Sequence, residues 1–388
     1  MRRSENLSWS RATAFTRENV ANFFEILRPF VDLVDSDPDR IFNMDETGTQ
    51  LNQRDGEKVI GVKGSKRTPK ISTAEQGATV SVLFTVGANG QFFPPEVIFG
   101  HGRLHVSEDD FGCNCFVHKS ENGWTNSDIF VKYLQHFQVN RPKNDQDCLL
   151  ILDGHASHFS VEAIEFCRSN KIHMLVLPPH CTDKMQPLDT HIFSPFKHQW
   201  HEATNTWLRS NPGSKMTQQA YANIFSAAYL PIANRSSPVI NGFKSCGILP
   251  FEPNVFSDEH FAPSDAIMKA KNNKEGCLGA TPNPRPYSAP AALGPIDQPK
   301  VITPRFTDFG ALNLSTKSLP SPAELVFAKY NPLSNMTTSK PSNRGRKKGT
   351  ARVATSEESL DLAKTREENR KKRAAAKGGK RGRPKKAL

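Results

Sequence analysis

The chain has 388 residues, with 51 Lys and Arg against 39 Asp and Glu, and residues 344–388 alone hold 17 of the basic and 5 of the acidic ones, so a body with 34 charges of each sign carries a cationic tail. No apolar run reaches the roughly 20 residues of a membrane span, and Met1 to Glu5 lack the apolar stretch of a secretory signal, so no membrane partner is expected. The seven cysteines are odd in number and irregular in spacing, which argues against a disulfide framework and for a reducing compartment.

Residues 1–38 read as a helical lead-in. Ala12, Ala14, Phe15, Val20, Phe23, Phe24, Leu27 and Phe30 recur at helical spacing, and Thr16 caps the longer helix, with Asn19 where a full capping box has Glu or Gln. Residues 39–252 read as one α/β domain. Strands are predicted over 40–45 and 79–86, an Asn89-Gly90 hairpin turn follows, and a return strand spans 92–99, its Pro94-Pro95 pair marking an edge or a bulge. Trp124, Ile129, Phe130, Tyr133, Leu134 and Phe137 give a helix capped by Ser127. Cys148 to Leu152 is a buried strand, 161–168 a helix, His173 to Leu177 another buried strand, and a helix runs from about 192 to 209, ended by Asn211-Pro212-Gly213. Three strands followed by strand–helix alternation predict a mixed sheet with flanking helices. Residues 253–343 hold 13 of the 28 prolines and are expected to be a disordered linker. Residues 344–388 are expected to be a disordered basic tail.

Three acids stand at the ends of predicted elements. Asp45 lies in Asn43-Met44-Asp45-Glu46-Thr47-Gly48, Asp153 follows the apolar run Leu149 to Leu152 and precedes Gly154-His155, and Asp189 ends Gln186-Pro187-Leu188-Asp189, shortly after Pro178-Pro179-His180. Taken singly, each reads as a turn residue or a helix cap. Together they place three carboxylates at the edge of one sheet, where ligands bind and where like charges need protons or cations; hard oxygen donors suit Mg²⁺ or Mn²⁺.

These segments, in this order, resemble the DDE-superfamily transposases of the pogo and jerky-like branch. Asn43 with Asp45 to Gly48, Leu149 to His155, and Pro178-Pro179 with Gln186 to Asp189 match the family's three motifs, and Gly242 to Phe251 resembles its closing signature. The resemblance covers roughly residues 5–255. It implies a ribonuclease-H-like fold in which Asp45, Asp153 and Asp189 hold two divalent ions about 3.5–4 Å apart for DNA strand cleavage and strand transfer. It implies transposon-end DNA as substrate and a homodimer on paired ends. Asp183 competes with Asp189 for the third position, and Glu46 is a supporting candidate that strand alternation turns away from Asp45. Family members carry helix-turn-helix domains before the catalytic core, and this chain starts in what looks like the segment after them. The rival reading is therefore a domesticated, non-catalytic DNA-binding or chromatin-associated protein.

Weaker signals surround these. His155 and His158 either orient groups or contact phosphate beside Asp153, or form a structural turn. Cys113, Cys115 and His118 invite a zinc reading but show no fourth ligand at the usual spacing. Lys63, Lys66, Arg67 and Lys70 form a basic patch without P-loop spacing. In the tail, Arg381-Gly382-Arg383-Pro384 resembles an AT-hook for the A·T-rich minor groove, and Arg344-Gly345-Arg346 resembles a degenerate second copy. The same basic run serves as a nuclear-localisation signal, and a nuclear protein is expected.

Overall fold

The structure, a computed structural model, describes residues 8–50, 79–100, 102–276 and 351–378. The lead-in forms two helices, α1 (Trp9–Ala14) and α2 (Arg17–Leu33). The Thr16 hydroxyl accepts from the Asn19 amide at 3.2 Å, as the sequence predicts. The apolar stripe Val20, Phe23, Phe24, Leu27, Phe30 and Val31 is buried in the main core, so the lead-in is part of the domain.

Among the described residues, seven strands form one mixed sheet in the order β4-β3-β2-β1-β5-β6-β7. They are β1 (Ile41–Gln50), β2 (Thr79–Gly87), β3 (Glu96–Phe99), β4 (Phe116–Lys119), β5 (Cys148–Leu152), β6 (Ile172–Val176) and β7 (Arg352–Val353). β1, β2 and β3 run antiparallel, whereas β1, β5 and β6 run parallel. The helices are α3 (Ser127–Asn140), α4 (Val161–Ser169), α5 (Thr182–Met185), α6 (Phe193–Ser210), α7 (Gln218–Ala233), α8 (Ser236–Ser245), α9 (Asp258–Gly276) and α10 (Glu357–Gly378). Strand alternation divides the core in two. Ile41, Leu149 and Ile151 face α6 and α7, while Phe42, Leu150 and Leu152 face α3 and α4. This is the mixed sheet with flanking helices that the order of predicted elements implies.

Several expectations are corrected. β1 does not stop at Asp45: it continues to Gln50, because Asp45 to Gln50 pair residue by residue with Phe84 to Thr79. The return strand begins only at Glu96, with an isolated bridge at Phe92, since Pro94 and Pro95 have no amide to donate. β3 is not an edge either, because β4 pairs outside it. α3 is capped by Asn126, whose side chain accepts from the Ile129 amide at 2.9 Å, rather than by Ser127. The linker begins later than residue 253. α9 is anchored by Phe261, which stacks on Phe15 at 5.1 Å, and by Arg17, which pairs with Asp258 at 2.8 Å.

The expected disordered tail is also corrected over residues 351–378. β7 lies antiparallel on the open edge of β6, the Ala354 amide donates to the Met174 carbonyl at 2.8 Å, and Ala354 is fully buried. α10 then packs on α4, with Arg168 3.6 Å from Glu357 and Lys364 3.5 Å from Glu165. The patch Lys63, Lys66, Arg67 and Lys70, the tail residues Arg344, Arg346, Arg381, Gly382, Arg383 and Pro384, and most of the Pro-rich segment lie outside the described residues.

Candidate active site

Asp45 lies where β1 outruns its parallel neighbour. Ile41, Phe42 and Asn43 stand opposite Leu149, Leu150 and Ile151. The same register carried two residues further sets Asp45 level with Asp153, which follows directly on β5. Alternation turns Asp45 to the face of Asn43, where the third acid arrives. Asp189 lies on a π turn, Leu188–Ile192, that leads straight into α6; such turns recur at functional sites.

One side chain connects these segments. Asn43 is fully buried, donates from Nδ2 to the Ile151 carbonyl at 3.0 Å, and accepts at Oδ1 from the Leu188 amide at 3.1 Å. A carbonyl and an amide N–H as partners settle which end of the Asn43 amide is which.

The acids act on one another. Burial first, then the charges of Asp189 and Asp153, hold the Asp45 carboxyl well above the usual range, against the Glu46 amide that donates to its Oδ1 at 2.8 Å. Asp189 is also raised, by burial above all, with the Thr182 hydroxyl and the charges of Lys197 and Arg11 easing it and Asp183 adding to it. Asp153 departs the other way. Burial pushes it up, but the His158 ring 3.2 Å from Oδ1, with the His155 amide at 3.1 Å, takes it below the usual range. The site therefore combines one acid held below the usual carboxylate range with two held above it.

His158 is buried and lies over Phe130, with ring centroids 4.5 Å apart, which fixes it beside Asp153. The His155 ring instead pairs with the Ser157 hydroxyl at 2.8 Å. Glu46 points to the opposite face, where its Oε1 accepts from the Thr125 amide at 3.1 Å and the Thr125 hydroxyl at 3.0 Å, ahead of α3. Asp183 lies in the first turn of α5 and acts on Asp189, while Asp45 feels Asp189 and Asp153 most strongly among charged groups. His118 lies 3.0 Å from the buried Glu96, and Cys113 lies 3.7 Å from the Ser226 hydroxyl, so both have partners without zinc.

Among the described residues no group of three or more His, Cys, Asp and Glu is gathered as a metal-ligand set. The donor chemistry still fits a hard divalent cation: three carboxylates from separate segments, two of them raised above the usual range by burial and, for Asp45, by mutual repulsion, which a cation would relieve. The same electrostatics give a stability prediction without metal. A carboxyl raised in the fold binds more protons there than in the unfolded chain, so stability falls as pH rises from about 4 towards the raised value. Asp45→Asn is therefore expected to raise the melting temperature in chelator at neutral pH and to change it little near pH 4, as thermal melts across that range would register.

The chain is similar in part to several known proteins. The chain is 30% identical over 222 residues to the "MFS-type transporter clz9" of Cochliobolus lunatus, a match covering 55% of this chain and 24% of that protein. The chain thus spans about a quarter of the curated relative, and no helix among its described residues is long and apolar enough to cross a membrane. The crystal structure of a pre-cleavage Mos1 transpososome aligns with 14% identity and a TM-score of 0.39, over 68% of this chain and 64% of that one. The catalytic domain of Mos1 mariner transposase aligns with 14% identity and a TM-score of 0.34, over 68% of this chain and 96% of that one. Residues 78–233, which contain Asp153 and Asp189 and begin after Asp45, match the family model described as "DDE superfamily endonuclease".

Proposed function

We propose that this domain is a metal-dependent DNA strand-cleaving enzyme of the transposase type, of the pogo and jerky-like branch, with Asp45, Asp153 and Asp189 holding two Mg²⁺ or Mn²⁺ ions. What supports this reading is the register of the sheet, which sets Asp45 level with Asp153, together with the Asn43 amide that joins β1 and β5 to the turn carrying Asp189. When bound, such ions lower the pKa of an attacking water or 3′-hydroxyl and neutralise the leaving oxygen at phosphorus. The chain's own part is to position and to compensate charge. Asp153, kept ionised by His158, offers a full negative charge from the end of a rigid buried strand. Cations bound there would offset the burial and repulsion that raise Asp45 and Asp189. Lys197 and Arg11, whose charges act on Asp189, are the cations that would meet a DNA phosphate at this site.

Transposon ends as substrate, strand transfer after cleavage, a homodimer and a nuclear location complete the reading. Arg344, Arg346, Arg381, Gly382, Arg383 and Pro384 add salt-sensitive contact with the A·T-rich minor groove. Incubating the full chain with supercoiled plasmid tests it: nicked circles that appear with Mn²⁺ or Mg²⁺ and vanish in chelator support the enzyme. DNA retention without nicking in either metal overturns it in favour of a non-catalytic DNA-binding protein.

A further inference from the structure

We infer that Asn43 is the positioning residue that sets the three carboxylates at their working separations, an inference that rests on the metal-dependent reading above. Its amide joins three backbone points, each close to one acid. Asn43 itself is two residues before Asp45, Ile151 two before Asp153, and Leu188 one before Asp189. The bonds measure 3.0 Å to the Ile151 carbonyl and 3.1 Å from the Leu188 amide. The residue is fully buried, so water does not compete for either bond.

Asparagine suits this position for a chemical reason. The clamp needs one donor and one acceptor on a short, planar side chain. An ionised Asp would turn an oxygen on the Ile151 carbonyl and add a fourth negative charge. An apolar residue would leave a buried N–H and a buried C=O unpaired. The tie matters most for Asp189, because the π turn that carries it has no side-chain cap of its own. α8 backs that turn from outside, where a Cβ on Gly242 would meet the Pro187 carbonyl at 3.1 Å, while Asn43 fixes it to the sheet. A residue that touches no ligand can thus govern how ligands meet it.

The test compares the parent, Asn43→Ala and Ile164→Ala, the last a destabilising control in the fully buried core of the opposite face. Two quantities are measured on the full chain: Mn²⁺ affinity by calorimetry, with and without a short duplex, and hydrogen exchange of the Leu188 amide without metal. The expected result is a Leu188 amide that is protected in the parent and exchanges rapidly in Asn43→Ala. Mn²⁺ affinity in that variant falls about 10- to 100-fold, while Ile164→Ala keeps the parent's affinity. If Asn43→Ala does not fold, Asn43→Ser carries the same test, since one hydroxyl serves at most one of the two backbone groups well. A folded variant with the parent's Mn²⁺ affinity, or with unchanged Leu188 exchange, overturns the inference alone. A parent that binds no Mn²⁺ even with duplex overturns the metal reading and this inference together.

Discussion

Asp153→Asn is expected to lower metal-dependent nicking by about 10³-fold or more while leaving the fold and the DNA affinity close to those of the parent. The substitution keeps the shape and removes the charge. Among the three acids Asp153 is the one held below the usual carboxylate range, so it offers a full negative charge where Asp45 and Asp189 resist ionisation. Losing a preorganised charge at a developing transition state costs about 10²–10³-fold even for a single neutral donor, and a charged ligand counts for more. Stability responds differently. Asp153 is about a third exposed, with a side-chain accessibility of 36%, so its interaction with the nearby imidazole is partly screened and contributes little to folding. Initial nicking rates, beside melting and duplex binding of the same variant, separate a lost site from a lost fold.

Phe84→Ala is expected to destabilise the protein by about 3–5 kcal/mol, the range for emptying a phenylalanine position in a close-packed core. Phe84 is fully buried on β2, directly opposite Asp45, and packs against Phe196 at 5.0 Å, Tyr229 at 5.7 Å and Phe193 at 5.8 Å. These contacts hold α6 and α7 against the sheet, and Phe193 opens α6 at the end of the π turn that carries Asp189. A cavity here lets the start of α6 shift. Mn²⁺ affinity is therefore expected to fall along with the denaturation midpoint. An equally destabilising substitution in the α3 and α4 layer would lower only the midpoint.

How much of the fold is legible in the chain follows from how local each signal is. The run Cys148 to Leu152 is apolar at every position, so its burial on both faces and the acid displayed after it are plain from the residues alone. The Thr16 cap, the Asn89-Gly90 turn and the stop at Asn211-Pro212-Gly213 depend on neighbours in sequence and stand where expected; Gly90 and Gly213 take φ of 92° and 79°. Features that depend on distant partners are harder to place. β1 continues through Glu46-Thr47-Gly48-Thr49 because β2 offers a pairing partner, although the predicted strand stops at Asp45. β4 is only four residues long, Phe116-Val117-His118-Lys119, too short to show an alternating pattern, and β4, α7 and α8 are absent from the predicted elements. β7 exists because β6 has an open edge, which nothing in the low-complexity tail announces. The three acids are recognisable as motifs. That Asn43 ties their backbones together, and that Glu46 faces α3 instead, emerges only from the register of the sheet.

The claim that Asp45, Asp153 and Asp189 form one cation site is tested most directly by Mn²⁺ calorimetry on the parent and on the three single Asp→Asn variants, each with a short duplex present. The predicted result is saturable binding in the parent and a loss of at least about tenfold in affinity in every variant, for Asp45 and Asp189 as well as Asp153. Parent-like binding in all three variants, or a loss confined to Asp153, would contradict a site shared by the three acids.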